Sequence, residues 1–323
     1  MAYDLITIGD IKLDTFVVLP EASIQCRLKM PECQICIDYG KKIPVEMVDA
    51  EIAGSAPNVA RGLSRMGFTT GIVSVMGPDG TRKLAYEVLK REGITTRFIA
   101  VHKDAKSSYS VVLNYHGERT ILAAHTGCPY ILPASLPTKW LYLSELGKGY
   151  ERLFGQVANA VDRKHLSLAF NPGAVQIAER KKSLFELVKR SAILFVNVQE
   201  AQLLTGEQGA EPHRLCTALF KLGAKLVVIT DGKNGAYSFD GKETRHCPIF
   251  PAKFVEATGA GDSFATGFVG AILHKQSPVE ALRWGSVNAA SVVGFVGPAK
   301  GLLSHTQIRS RLKKSPKFKV RDI

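Results

Sequence analysis

Short apolar runs alternate with amphipathic helical patterns along most of this chain, and that alternation limits its fold more than any other feature. Strand-type runs occupy Leu5–Ile8, Gly71–Val75, Trp140–Leu143, Ser167–Phe170, Ala192–Val196 and Leu226–Thr230. Helix-period segments lie between them, at Asn58–Met66, Leu84–Arg91, Arg152–Arg163, Lys182–Lys189 and Pro212–Leu222. A strand that is apolar on both faces has to be covered on both. The pattern therefore predicts an α/β fold with a mostly parallel central sheet flanked by helices. In such a sheet, ligands collect at the carboxyl ends of the strands.

Two stretches break this rhythm. Residues 11–50 and 94–125 hold alternating, β-prone runs at Leu13–Leu19, Ile43–Val48, Phe98–His102, Ser108–Asn114 and Thr120–Ala124. They predict a small antiparallel β lid, leaving residues 1–10, 51–93 and 126–323 for the main domain. A polar insertion at about 21–42 carries Cys26, Cys33 and Cys36. Cys33-x-x-Cys36 lacks the second pair that a zinc site wants, so free thiols are expected.

Composition removes several function classes. No run of about 18 apolar residues is present, so no transmembrane helix is expected. The segment Met1–Asp10 lacks a basic region and a small-residue cleavage site, reads as a first strand, and suggests a cytoplasmic protein. The formal charge is +13, and residues 309–323 alone hold seven Lys or Arg against one Asp. They read as a basic C-terminal tail. No recognition motif accompanies it, so nucleic acid is not the expected partner, and the remaining surplus suits an enzyme that handles polyphosphate.

The segment Val255-Glu256-Ala257-Thr258-Gly259-Ala260-Gly261-Asp262-Ser263-Phe264 carries the most chemistry. It starts at the end of an apolar, strand-like segment, and its small residues precede a helix-type pattern, so free backbone N–H groups and the positive end of a helix dipole form an anion site. Asp262 sits in its mouth. A carboxylate beside a phosphate-binding turn is what phosphoryl transfer to an alcohol requires, with the base taking the hydroxyl proton. The same residue also reads as a first-turn acid complementing the dipole.

Other segments fit around it. Asn197-x-x-Glu200 follows an apolar strand and can hold a hydrated Mg²⁺ over nucleotide phosphates, although the same spacing makes a capping box. Thr230-x-Gly232-x-x-Gly235 can touch phosphate through a hydroxyl and relaxed backbone, or simply turn the chain. Ala53-Gly54-Ser55-Ala56-Pro57-Asn58 enters a helix with Pro57 in its first turn. Gly54 allows close approach of a hydroxylated ligand, and Asn58 can donate and accept hydrogen bonds. Asp14 can bind a pair of sugar hydroxyls, or stand as a surface acid. Neither a Gly-x-x-x-x-Gly-Lys-Ser/Thr loop nor a strand-linked Gly-x-Gly-x-x-Gly occurs, which argues against P-loop and dinucleotide folds.

Taken in order, Ala53–Asn58, Asn197–Glu200, Thr230–Gly235 and Glu256–Asp262 resemble the ribokinase-like (PfkB) carbohydrate kinases over nearly the whole chain. The resemblance implies a ribokinase-like sheet with a β lid that often clasps a homodimer. It implies ATP and Mg²⁺, with Asp262 as base and the amides of Gly259, Ala260 and Gly261 as anion hole. Asn197 and Glu200 would organise Mg²⁺ through water; Thr230, Gly232, Gly235, Asn197 and Asn288 would face the nucleotide. Asp14, Gly54, Ser55 and Asn58 would hold the substrate.

The chain also departs from the family pattern. Ala53 stands where the family has glycine, and Glu256-Ala257 where it has Asp-Thr. That aspartate helps hold a monovalent cation in many members, so Glu256 leaves K⁺ binding open, with weak dependence expected. Ser55 replaces a lysine seen in many ribose and sugar-phosphate kinases. The expected acceptor is a ribose- or fructose-type sugar, with an adenosine-type nucleoside second and a sugar phosphate such as fructose 6-phosphate third. Arg27, Lys29 and Arg119 can bind a substrate phosphate, or serve as solvated lid residues. A non-catalytic ligand-binding relative is the alternative of a different class.

Overall fold

The computed structural model describes residues 2–19, 23–26, 33–115 and 118–323. Arg27 and Lys29 lie outside the described residues, as do the side chains of Cys26 and Cys33. The first half holds strands β1 Leu5–Ile8, β2 Lys12–Val18, β3 Ser23–Cys26, β4 Cys33–Cys36, β5 Glu46–Ala53, β6 Thr70–Met76, β7 Ile99–Val101, β8 Ser108–Tyr115 and β9 Glu118–Ala124. The second holds β10 Trp140–Leu143, β11 Ser167–Phe170, β12 Ser191–Asn197, β13 Val227–Thr230, β14 Ala236–Phe239, β15 Thr244–Cys247 and β16 Arg321–Asp322. The helices are α1 Ser55–Arg65, α2 Gly80–Arg91, α3 Glu151–Lys164, α4 Ala174–Glu179 and α5 Lys182–Arg190. They continue with α6 Val198–Thr205, α7 Pro212–Lys221, α8 Ala260–Leu273, α9 Pro278–Val292 and α10 His305–Lys314.

The main sheet runs β16-β15-β14-β13-β12-β11-β10-β1-β6-β7. From β7 to β13 every pairing is parallel, and β14, β15 and β16 add an antiparallel edge. Consecutive residues of a strand face opposite ways, which divides the core in two. Ile6, Leu141 and Leu168 pack on one side with α3, α5 and α7. Leu5, Tyr142 and Ala169 pack on the other with α1, α8 and α9. The strand order reverses at β1 and β10, so a crevice opens at their carboxyl ends.

The lid is a second sheet, β5-β2-β8-β9, and β3 and β4 form a separate hairpin. Because β2 begins just after β1, the lid rises from that same crevice.

Three expectations change. Residues 99–101 pair with β6 in the main sheet rather than joining the lid, whose second segment starts at Ser108. Their apolar alternation alone does not say which sheet they enter. Residues 251–259 contain no strand, so an irregular segment leads into the glycine turn. The C-terminal residues are not a solvated tail. Ile308 and Leu312 of α10 are buried, Phe318 packs edge-on against Phe250, and β16 closes the sheet edge. The basic side chains of α10 sit on the opposite, exposed face, which hides its apolar stripe from a charge count.

Candidate active site

A cleft of about 280 Å³ lies at the switch point, between the strand ends and the inner face of the lid. Main-sheet loops and helix starts contribute Gly54, Ser55, Asn58, Glu200, Gly259, Gly261 and Asp262. The lid contributes Lys12, Asp14 and Ser110, with Arg119 and Ile121 further out on β9. Alternation explains the lid residues. Lys12 and Asp14 share one face of β2, and Asp14 sits opposite Ser110 in register.

Asp262 lies in the first turn of α8, where the dipole favours a negative charge. Asn58 Nδ2 donates to its Oδ2 at 2.8 Å. The two meet because α1 and α8 pack closely. A Cβ on Gly62 would stand 2.3 Å from Thr266 Cγ2, so only glycine allows this approach. Burial pushes the Asp262 carboxyl above its ordinary range, while hydrogen bonds from Asn58 and Ser55 pull it back. Gly54 has φ of +113°, and a Cβ there would lie 2.4 Å from Asp10 O. It sets the turn that starts α1.

Asp14 is buried, its Oδ1 has no partner, and burial lifts its carboxyl to about 6. Asn58 Oδ1 and Ser110 Oγ are likewise buried and unpartnered. Unsatisfied buried polar atoms are costly, and these three line one cleft, where the hydroxyls of a ligand would satisfy them.

The glycine turn differs in one detail from the expected anion hole. Ala260 N–H donates to Ala257 O at 3.1 Å, so this amide is already committed, and Ala260 does not line the cleft. Among the described residues the amides of Gly259, Gly261 and Asp262 have no backbone acceptor outside the helix. Glu256 is buried. It accepts from the Thr258 hydroxyl and, at 3.1 Å, from Gly297 N.

Asn197 and Glu200 form the reciprocal cap of α6, with Asn197 N to Glu200 Oε2 at 2.9 Å and Glu200 N to Asn197 Oδ1 at 2.8 Å. Glu200 Oε1 is not used in that cap. Burial raises the Glu200 carboxyl to about 7. Thr230 is the register partner of Asn197, which places Thr230, Gly232 and Gly235 beside it at the carboxyl ends of β12 and β13. Asn288 is a correction. It is fully buried, its Nδ2 donates to Ser263 O at 2.7 Å and its Oδ1 accepts from Leu303 N at 3.0 Å. Its carboxamide ties α9 to α8 and is not presented to a nucleotide.

Residues 15–304 match the family model described as pfkB family carbohydrate kinase. The chain belongs to the pfkB carbohydrate kinase family. A cytidine kinase from Thermococcus kodakarensis is 27% identical to this kinase over 300 residues, covering 90% of this chain and 96% of the relative. A 5-dehydro-2-deoxygluconokinase from Lacticaseibacillus casei is 24% identical over 304 residues, covering 86% and 92%. In structure, the kinase resembles Arabidopsis thaliana ribokinase complexed with ribose and ATP, with a TM-score of 0.81, 22% identity, and coverage of 97% and 99%. The lid, the switch-point crevice and the helix-start aspartate thus belong to a phosphotransferase with an alcohol as acceptor.

Sequence reading missed Lys12, Ser110 and Glu145, which line the same cleft. Glu145 follows β10 at the switch point, and a charged residue just past an apolar strand was the available signal. Nothing local marked Lys12. Cys36, Cys128, Cys216 and Cys247 are free thiols, and among the described residues no group of three or more His, Cys, Asp or Glu is arranged for a metal.

Proposed function

We propose that the protein transfers the γ-phosphoryl group of ATP to a hydroxyl of a small ribose- or fructose-type sugar, with Asp262 as general base. The observation that carries this reading is the Asn58–Asp262 hydrogen bond inside a cleft whose other polar atoms await hydroxyls. Asp14, Asn58, Ser55 and Ser110 hold the sugar beside Gly54. Asp262 takes the proton of the hydroxyl nearest it, and the free amides of Gly259 and Gly261 receive the transferring phosphoryl group. The transition state is loose, so positioning and charge stabilisation supply most of the rate. The nucleotide lies along Asn197, Thr230, Gly232 and Gly235.

Glu200 Oε1 suits a Mg²⁺ held largely through water, since that ion keeps several waters and shares substrate phosphates. Bound there, the ion neutralises phosphate charge. The reading includes weak dependence on K⁺, because Glu256 already uses both oxygens to tie Thr258 to Gly297. It also includes a cytoplasmic homodimer formed through the lid, supported by exposed Tyr109 and Leu122 on the face turned away from the cleft.

A nucleoside acceptor is the second reading, favoured by the cytidine kinase relative and by Ile121 and Arg119, which extend the cleft beyond Asp14. An assay of ADP release across ribose, fructose, adenosine and fructose 6-phosphate tests both. Turnover with a free sugar supports the first, preference for adenosine selects the second, and no ADP release from any polyhydroxylated acceptor overturns the kinase reading.

A further inference from the structure

The cleft crowds four carboxylates, Asp14, Glu145, Glu200 and Asp262, onto walls from different elements. Neighbouring negative charges oppose one another's ionisation, and burial adds to that penalty. Two cations line the same space. Arg119 is exposed on the outer part of the lid, where solvent screens it. The Lys12 side chain is 8% exposed and forms an ion pair with Glu145. An ammonium has three N–H donors. Among the described residues Glu145 is the only partner Lys12 has, so donors remain for the cleft.

We propose that Lys12 is a positioning residue for the transfer: held by Glu145, its ammonium balances the carboxylates of the cleft so that Asp262 meets the acceptor hydroxyl as an anion. This rests on Asp262 being the base. A base has to be unprotonated to accept a proton. Burial works against that at Asp262, and Glu145 adds to it; Asn58, Ser55 and Lys12 work in favour. The charged and titratable groups facing Asp262 are Glu145 after β10, Glu200 on α6, Lys12 and Asp14 on β2, Arg119 on β9 and the Tyr142 phenol. Only Lys12 is both positive and buried. Glu145 plays two opposing parts, since it raises Asp262 directly and anchors the ammonium that offsets it.

The test is the pH dependence of kcat/KM, at saturating MgATP, for whichever panel sugar turns over fastest. In Lys12→Met the acid limb should move up by about one pH unit, with turnover recovering at alkaline pH. Lys12→Arg, which keeps the charge, should leave the limb in place. A Lys12→Met profile lowered equally at every pH, with its limb unmoved, overturns the inference. Should that variant fail to fold, Lys12→Gln decides by the same profile, and a limb unmoved there overturns the inference. Asp262→Asn separates the two readings. If its residual activity keeps the wild-type acid limb, Asp262 is not the base and both fall. If the limb vanishes there but is unmoved in Lys12→Met, the Lys12 inference alone fails.

Discussion

The Asn58 carboxamide donates to Asp262 Oδ2 at 2.8 Å although 204 positions separate the two in sequence. One residue belongs to the helix after the lid strand β5, the other to the helix after the glycine turn. Asp262→Asn should cost at least ~100-fold in kcat, the low end for losing a general base. Asn58→Ala leaves the carboxylate chemically intact but loosely aimed, so it should lower kcat by about tenfold or more. Steady-state kinetics checks both, and near-normal turnover in Asp262→Asn would remove Asp262 from its role.

Glu200 offers a pH test without substrate. Its carboxyl stands at about 7 in the folded protein, above its ordinary 4.5, because burial disfavours the charged form. The folded state therefore holds the proton more tightly than the unfolded chain. This contribution to stability is complete below the unfolded value and is lost as pH rises through about 7. Glu200→Gln can still cap α6, since glutamine serves in that motif as glutamate does. At pH 8 it should be more stable than wild type by about 1–2 kcal/mol, a gain absent at pH 4. Denaturant titrations at the two values read the difference, and an equal effect at both would count against burial as the cause.

Gly54 is a stability and geometry test in one. Its φ of +113° suits glycine, and an added Cβ would run into Asp10 O. Gly54→Ala should cost about 1–3 kcal/mol from backbone strain, with the contact adding to it. The same change shifts the start of α1, so the KM for the acceptor should rise while that for ATP stays near its original value. A variant with unchanged melting temperature and acceptor KM would show that the turn tolerates a side chain.

Truncation after Arg309 removes Leu312 and Phe318 from the core and β16 from the sheet edge. Each fully buried side chain of this size contributes about 1.5–3 kcal/mol. The shortened protein should therefore melt well below the full chain and lose activity through unfolding. Thermal unfolding monitored by circular dichroism checks it. Full stability with full turnover would mean that α10 is dispensable.

The sequence by itself determined the architecture. Both faces of the central strands are covered, so nearly all their residues are apolar, and Leu5–Ile8, Trp140–Leu143 and Ser167–Phe170 stand out with the bounds they have in the fold. The glycine-rich turns were also legible, because close backbone approach demands small residues wherever it occurs. Tertiary structure alone decided which polar residues share a cleft. Lys12 and Glu145 are 133 positions apart, and their pairing depends on β1 and β10 being neighbours at the point where the strand order reverses. It also decided that Asn288 is a tie between helices and that the basic C-terminus is partly core. Periodicity records which face of an element is buried; it carries no record of what lies on the other side.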